Sequence, residues 1–190
     1  MIIPKILVMP GSIRSGSLNT RLTATITKEL AAQEADVNRI SLADFDLPIY
    51  NGDLEADKGI PDNARKLGRL FCEHQGIVIV TPEYNGSLPP LLKHALDWIS
   101  RDLGNLKPYK DRTFAVASCS PGGMAGLAAQ RHLRDVLISV GADFVTPSRG
   151  VGSGHSAFDD NDNLTNERQQ MMLKNMTSTL LERANLWARG

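Results

Sequence analysis

One stretch near the amino end, Pro10-Gly11-Ser12-Ile13-Arg14-Ser15-Gly16-Ser17-Leu18-Asn19, crowds hydroxyls, an amide and a guanidinium into a loop of small residues. It runs into a helical pattern. Unpaired backbone N–H groups and the positive end of the helix dipole there favour an anion, a phosphate above all. Ser12, Ser17 and Asn19 can donate hydrogen bonds, and Arg14 supplies charge. The plainer alternative is that Ser17 caps the helix while Arg14 stands in solvent. The loop is not a Walker A motif, because no Gly-Lys-Ser/Thr ends it, and it is not GxGxxG.

A second stretch, Thr81-Pro82-Glu83-Tyr84-Asn85-Gly86-Ser87, follows an uninterrupted apolar run. Pro82 ends a strand ladder, Asn85-Gly86 permits a tight turn and Tyr84 offers a flat surface. Together they suit backbone hydrogen bonding to the edge of a planar heterocycle. An ordinary turn with Glu83 in solvent would need the same residues. A third stretch, Ser118 to Gly126, has the small residues that close ligand approach requires, or those of a flexible connector.

The elements that position these loops alternate along the chain. Ile6-Leu7-Val8-Met9, Val37 to Leu42, Ile77-Val78-Ile79-Val80, Phe114-Ala115-Val116-Ala117 and Asp143 to Thr146 read as strands. Helical spacing appears at Leu18, Leu22, Ile26 and Leu30, from Pro61 through His74, and from Pro89-Pro90 through Ile99. It returns from Leu133 to Gly141, and again from Leu173 to Trp187. Five βα units predict a parallel sheet with helices on both faces, a three-layer α/β fold. The first, third and fourth strands are the most apolar, so they belong in the middle. Right-handed crossovers then give the order 2-1-3-4-5, the flavodoxin-like arrangement. Its ligands bind beyond the carboxyl ends of the strands, where the three loops emerge. The stretch from Ala43 to Ile60 carries Phe45, Leu47, Ile49 and Tyr50 without a regular pattern, and it is expected beside the site or at a subunit contact. With no linker or internal repeat, residues 1–190 are expected to form one domain.

Composition closes several other routes. Of 190 residues, 21 are Lys or Arg and 21 are Asp or Glu, so the net charge is zero. That leaves no electrostatic footprint for nucleic acid and no strong steering field. An apolar content of 42 % argues against disorder. Cys72 and Cys119 have no CxxC spacing, which leaves two reduced thiols as the simplest reading. No signal-peptide pattern opens the chain and no apolar run could span a bilayer, so the expected location is cytoplasmic. His94 with Asp97, and His155 with Asp159 and Asp160, each lack a third converging ligand, and no metal is expected. There is no GxSxG elbow for a hydrolase. Gly150 to Gly154 reads as a mobile connector, and Met171, Met172 and Met176 as core filling.

Ser12-x-Arg14-x-x-Ser17-x-Asn19, taken with Pro82 to Ser87 and Asp97-Trp98-Ile99-Ser100-Arg101, resembles the NADPH-dependent FMN reductase family over nearly the whole chain. The likeness is to its bacterial quinone, chromate and ferric reductases. The resemblance implies that Ser12, Arg14, Ser17 and Asn19 hold the FMN phosphate, with Leu18 among the cofactor-binding residues. Pro82, Glu83, Tyr84, Asn85 and Gly86 would line the isoalloxazine, mainly through backbone groups, and Ser118 and Ser120 would complete the pocket. The third loop departs from several relatives at Ser120-Pro121-Gly122-Gly123.

The activity so implied is an FMN-dependent NAD(P)H:acceptor oxidoreductase acting on quinones, flavins, chromate or ferric complexes. If donor and acceptor share one open face over the ring they must alternate, so ping-pong hydride transfer is expected. The unpatterned apolar residues of Ala43 to Ile60 lead to an expected homodimer or dimer of dimers. The cofactor then carries the chemistry, so no side chain is expected to be catalytic in its own right. His74, His94, His132 and His155 all lie outside the three loops. The rival reading is a flavodoxin-type electron carrier without NAD(P)H activity. Such carriers tend to be strongly acidic and carry a Ser/Thr-Gly-x-Thr-Gly first loop, neither of which is present here.

Overall fold

Ile6 to Met9, Ile77 to Val80 and Phe114 to Ala117 are shielded completely from solvent and form the centre of a parallel sheet. The computed structural model describes residues 3–189. Met1, Ile2 and Gly190, the ends of the expected 1–190 domain, lie outside the described residues. The strands are β1 (Lys5–Pro10), β2 (Asp36–Arg39), β3 (Gly76–Val80), β4 (Thr113–Cys119), β5 (Asp143–Phe144) and β6 (Arg149–Val151). Their order, β2-β1-β3-β4-β5, is the one that strand polarity predicts. Four-residue β2 is only half-buried, as an edge strand can be.

Along the central strands, successive side chains enter opposite layers. Ile6, Val8, Val78, Val80, Ala115 and Ala117 pack under α1 (Leu18–Ala32) and α6 (Glu167–Ala188). Leu7, Met9, Ile77, Ile79, Phe114 and Val116 face α3 (Asp62–Glu73), α4 (Pro90–Ile99) and α5 (Leu127–Ser139). Both faces are covered, which is why these runs are apolar without alternation.

Several segments depart from the sequence reading, and Met171, expected as core filling, is exposed. Gly150 to Gly154, expected to be a mobile connector, begins in a sixth strand: β6 pairs with β4 at Ala117, Ser118 and Cys119, beyond the end of β5. Its glycines serve close packing, since a Cβ on Gly150 would stand 2.7 Å from that of Ala125. β5 stops at Phe144, short of the expected Thr146, with Pro147 unable to donate to the ladder. The Ala43 to Ile60 stretch is more ordered than its pattern suggests. A 3₁₀ turn at Leu42–Asp44 leads into it, so β2 ends at Arg39, short of the expected Leu42, and it contains a short helix, α2 (Gly52–Lys58), capped by Asn51. Trp98 anchors it, donating its indole N–H to the Pro48 carbonyl at 2.8 Å and meeting Tyr50 edge-on.

Candidate functional site

The three loops leave β1, β3 and β4 on the same side of the sheet, and backbone bonds lock their starting points. Gly11 N donates to Val80 O (2.8 Å), Thr81 N to Ala117 O (2.9 Å) and Ser120 N to Val151 O (3.1 Å). The ladder thus continues one residue past each strand, and the loops diverge from a fixed platform.

In the first loop, Ser17 is the N-cap of α1, its hydroxyl accepting from Asn19 N at 3.2 Å. Ser12 accepts from Arg14 N, and both serines are buried. Arg14 is exposed and takes part in no ion pair among the described residues. Asn19 is different. Its Nδ2 donates to Cys119 O (3.0 Å), and its Oδ1 accepts from Cys119 N (2.8 Å). The side-chain donor expected for a phosphate is therefore used within the protein, pinning the start of α1 to the end of β4. Leu18 lies in the core, packed where a Cβ on Gly154 would touch it. Burial pushes the Cys119 thiol up to about 12, so it stays protonated and is no nucleophile at neutral pH. Cys72 is also free, and half-buried. Behind the loop lies a cleft of about 340 Å³, lined by Ser12, Arg14, Thr20, Arg39 and Ser41 among others.

The second loop closes in a two-residue turn. Tyr84 and Ser87 exchange both backbone bonds, with Asn85 and Gly86 at φ 50° and 77°. Tyr84 is 48 % exposed, its ring free of the core. Glu83 is not in solvent, as the ordinary-turn reading had it. Its Oε2 accepts from Ala128 N and Ala129 N at the start of α5. Ser87 Oγ meets His132 Nδ1 at 3.0 Å, so one histidine touches the second loop although none belongs to it.

In the third loop, Ser118 is fully buried and donates to the Ala125 carbonyl. Gln130 Nε2 donates to Ser118 Oγ (2.6 Å) and to Ala125 O (3.1 Å). Ser120 turns outward and donates to Gly122 O. Sequence reading missed Gln130 and the engagement of Glu83. One signal was available: Gly126 precedes a helix that has no Ser, Thr, Asp or Asn to cap it. Lys93 holds Asp97 at 2.6 Å, so that carboxylate is already paired. Among the described residues no group of three or more His, Cys, Asp or Glu could hold a metal ion.

A capped helix N-terminus with a free guanidinium, beside two loops that offer exposed backbone and a flat ring, suits a phosphate tied to a planar heterocycle. The donor set fits FMN. Fold and rim together define a flavodoxin-like cofactor-binding protein. The model of the NADPH-dependent FMN reductase family matches residues 4–156, and the chain belongs to that family. It is therefore an oxidoreductase that works with FMN and a reduced nicotinamide nucleotide.

An Escherichia coli (strain K12) quinone reductase is 35% identical over 139 residues, 73% of this chain and 71% of its own. A 2-hydroxy-1,4-benzoquinone reductase from Burkholderia sp. is 31% identical over 97% of this chain and 96% of its own. Among solved structures, FerB, a flavoenzyme NAD(P)H:(acceptor) oxidoreductase from Paracoccus denitrificans, superposes with a TM-score of 0.82. Its identity is 29%, covering 96% of this chain and 98% of FerB. No described helix is long and apolar enough to cross a membrane.

Proposed function

We propose that the protein is an FMN-dependent NAD(P)H:quinone reductase, with FMN lying across the rim formed by the three loops. The observation that carries this reading is the match of the NADPH-dependent FMN reductase family over residues 4–156. Arg14 is exposed and without an ion-pair partner among the described residues, beside the Ser17-capped start of α1. That fits a plain helix cap as well as a phosphate site, and the family match favours the phosphate. Arg14 holds the FMN phosphate by charge, helped by Ser12, Ser17 and the backbone N–H groups of the α1 first turn. Leu18 and Asn19 act by holding that turn in place. Pro82, Glu83, Tyr84, Asn85 and Gly86 border the isoalloxazine through their backbone, and Ser118 and Ser120 shape the third wall. Bound there, FMN would supply the redox chemistry, two-electron reduction by NAD(P)H and delivery of those electrons to the acceptor.

The chain's own part is to fix the ring, leave one face open and keep polar side chains from competing for it. Backbone N–H groups of the second and third loops not used within the turns would offset negative charge gathering at the ring edge. Donor and acceptor share the open face and alternate there, so the kinetics are ping-pong. Quinones are the acceptors that the named relatives support. Ferric complexes, chromate and free flavins follow as permissive acceptors of the same face.

A second copy of the chain completes the enzyme as a homodimer or dimer of dimers. Ile49 is 79 % exposed beside Tyr50, whose ring lies under Arg101, and this supports a subunit contact there. A reductase supplied with NAD(P)H by metabolism works in the cytoplasm. Initial rates with NADH and with NADPH across quinones, ferric complexes, chromate and flavins test the proposal. Parallel double-reciprocal lines and a preference for quinones are expected. Intersecting lines would remove the shared face, and a monomer mass by light scattering at all concentrations would remove the dimer.

A further inference from the structure

Helix α5 begins without a local cap. Gly126 stands at its N-cap position with φ 72° and has no side chain to accept from the N–H groups of the first turn. The missing acceptor comes from forty-five residues earlier: Glu83 Oε2 receives Ala128 N at 3.0 Å and Ala129 N at 3.3 Å. Glu83 sits between Pro82 and the Tyr84–Ser87 turn, so the same carboxylate fastens the second loop to the end of the third. A Cβ on Gly126 would lie 3.9 Å from that of Glu83 and 2.7 Å from Ser118 Oγ. Ser118, Ala125 and Gln130 close the other side of this junction through buried hydrogen bonds. A glutamate in an ordinary turn has no reason to reach α5, and a helix cap has no reason to come from the far loop.

We propose that Glu83 is a positioning residue, its carboxylate clasping the 81–87 and 118–126 loops at the separation that the FMN ring requires. This rests on the cofactor site proposed above. Charge-assisted hydrogen bonds at a helix N-terminus are among the stronger ones. Geometry matters here more than charge, because both N–H groups converge on one oxygen. A glutamine carbonyl can stand in that place. Alanine cannot, and aspartate is a methylene too short.

The test compares FMN release from the loaded enzyme on dilution, read by flavin fluorescence, in Glu83→Ala, Glu83→Gln and Asn166→Ala. Asn166 caps α6 by accepting from Gln169 N, so its loss gives a cap-deficient control away from the loops. Losing both bonds in Glu83→Ala should weaken FMN binding by about tenfold or more. Glu83→Gln should stay within about threefold of the parent, and Asn166→Ala should lower the melting temperature with FMN affinity unchanged. Unchanged affinity in Glu83→Ala, or equal losses in Glu83→Ala and Asn166→Ala, would overturn the clasp. Should Glu83→Ala not fold, amide exchange on the parent enzyme decides. FMN is expected to protect the 84–87 and 126–129 amides together, and protection of only one group would overturn the proposal. A parent enzyme that retains no FMN would instead overturn the cofactor site itself.

Discussion

The first loop and the pair formed by the second and third loops use polar side chains in opposite ways. In the first, Arg14 points outward and its charge is uncommitted among the described residues, while Ser12 and Ser17 shape the turn. In the pair, Glu83, Ser118, Ser120 and Gln130 all bond within the protein, and only Tyr84 keeps a large exposed ring. The contrast matches two ligand chemistries. A phosphate needs charge brought to it, whereas a planar heterocycle needs a rigid slot edged by backbone. Substitution of Arg14 should therefore change affinity without stability, and substitution where the loops are tied together should change both.

The largest effect is expected where the two regions are joined. Asn19→Ala leaves both Cys119 N and Cys119 O without their partner in a buried place. Each orphaned group costs roughly 1–3 kcal/mol, so denaturant melts should show a marked loss of stability with FMN affinity falling as well. Gly126→Ala comes next. A left-handed conformation costs a non-glycine residue about 1–3 kcal/mol, and the new Cβ would press on Ser118 Oγ 2.7 Å away. Lower melting temperature and weaker FMN binding should appear together.

Arg14→Ala sharpens the contrast from the other side. Loss of a charged hydrogen bond removes about 1.5–3 kcal/mol, so FMN should bind at least about tenfold more weakly. The unfolding midpoint of the FMN-free protein should stay where it was. Equal losses of affinity and intrinsic stability in Arg14→Ala would dissolve the distinction between the two regions.

The smallest expected effect lies far from the rim. His74, just past α3, is buried, and desolvation holds its imidazole below the usual value of 6.5, with Lys5 adding to the drop. The Leu70 carbonyl, Glu73 and Asp36 pull the other way but lose. The unfolded chain binds this proton more readily than the folded one, so stability falls as pH drops below about 6.5 through the lowered folded value. His74→Gln should flatten that part of the stability curve and leave FMN affinity alone.

Sheet order was legible because burial on both faces leaves its mark on composition: the central strands are apolar throughout, while Asp36–Arg39 is not. The three loops were legible because Pro10, Pro82 and Pro121 stand at or just past the carboxyl ends of β1, β3 and β4, all at one end of the parallel sheet. What sequence could not reveal were partners distant along the chain. Asn19 carries the same amide whether it meets a phosphate or Cys119, one hundred positions away. Glu83 looks the same in solvent as on the first turn of α5. β6 was hidden because Gly150 and Gly152 read as flexibility until Ala125 and the Gly122–Gly123 backbone are seen packed against them. The 43–60 stretch hid its helix because α2 buries no residue, so it carries no apolar stripe.

The proposed function requires that this rim hold FMN and pass reducing equivalents from NAD(P)H to a quinone in two separate halves. Anaerobic mixing of the FMN-loaded enzyme with one equivalent of NAD(P)H, no acceptor present, tests it most directly. Full bleaching of the flavin's visible absorbance is expected, followed by full recovery when a quinone is added afterwards. A flavin that stays oxidised until both substrates are present, or that NAD(P)H never bleaches, would contradict it.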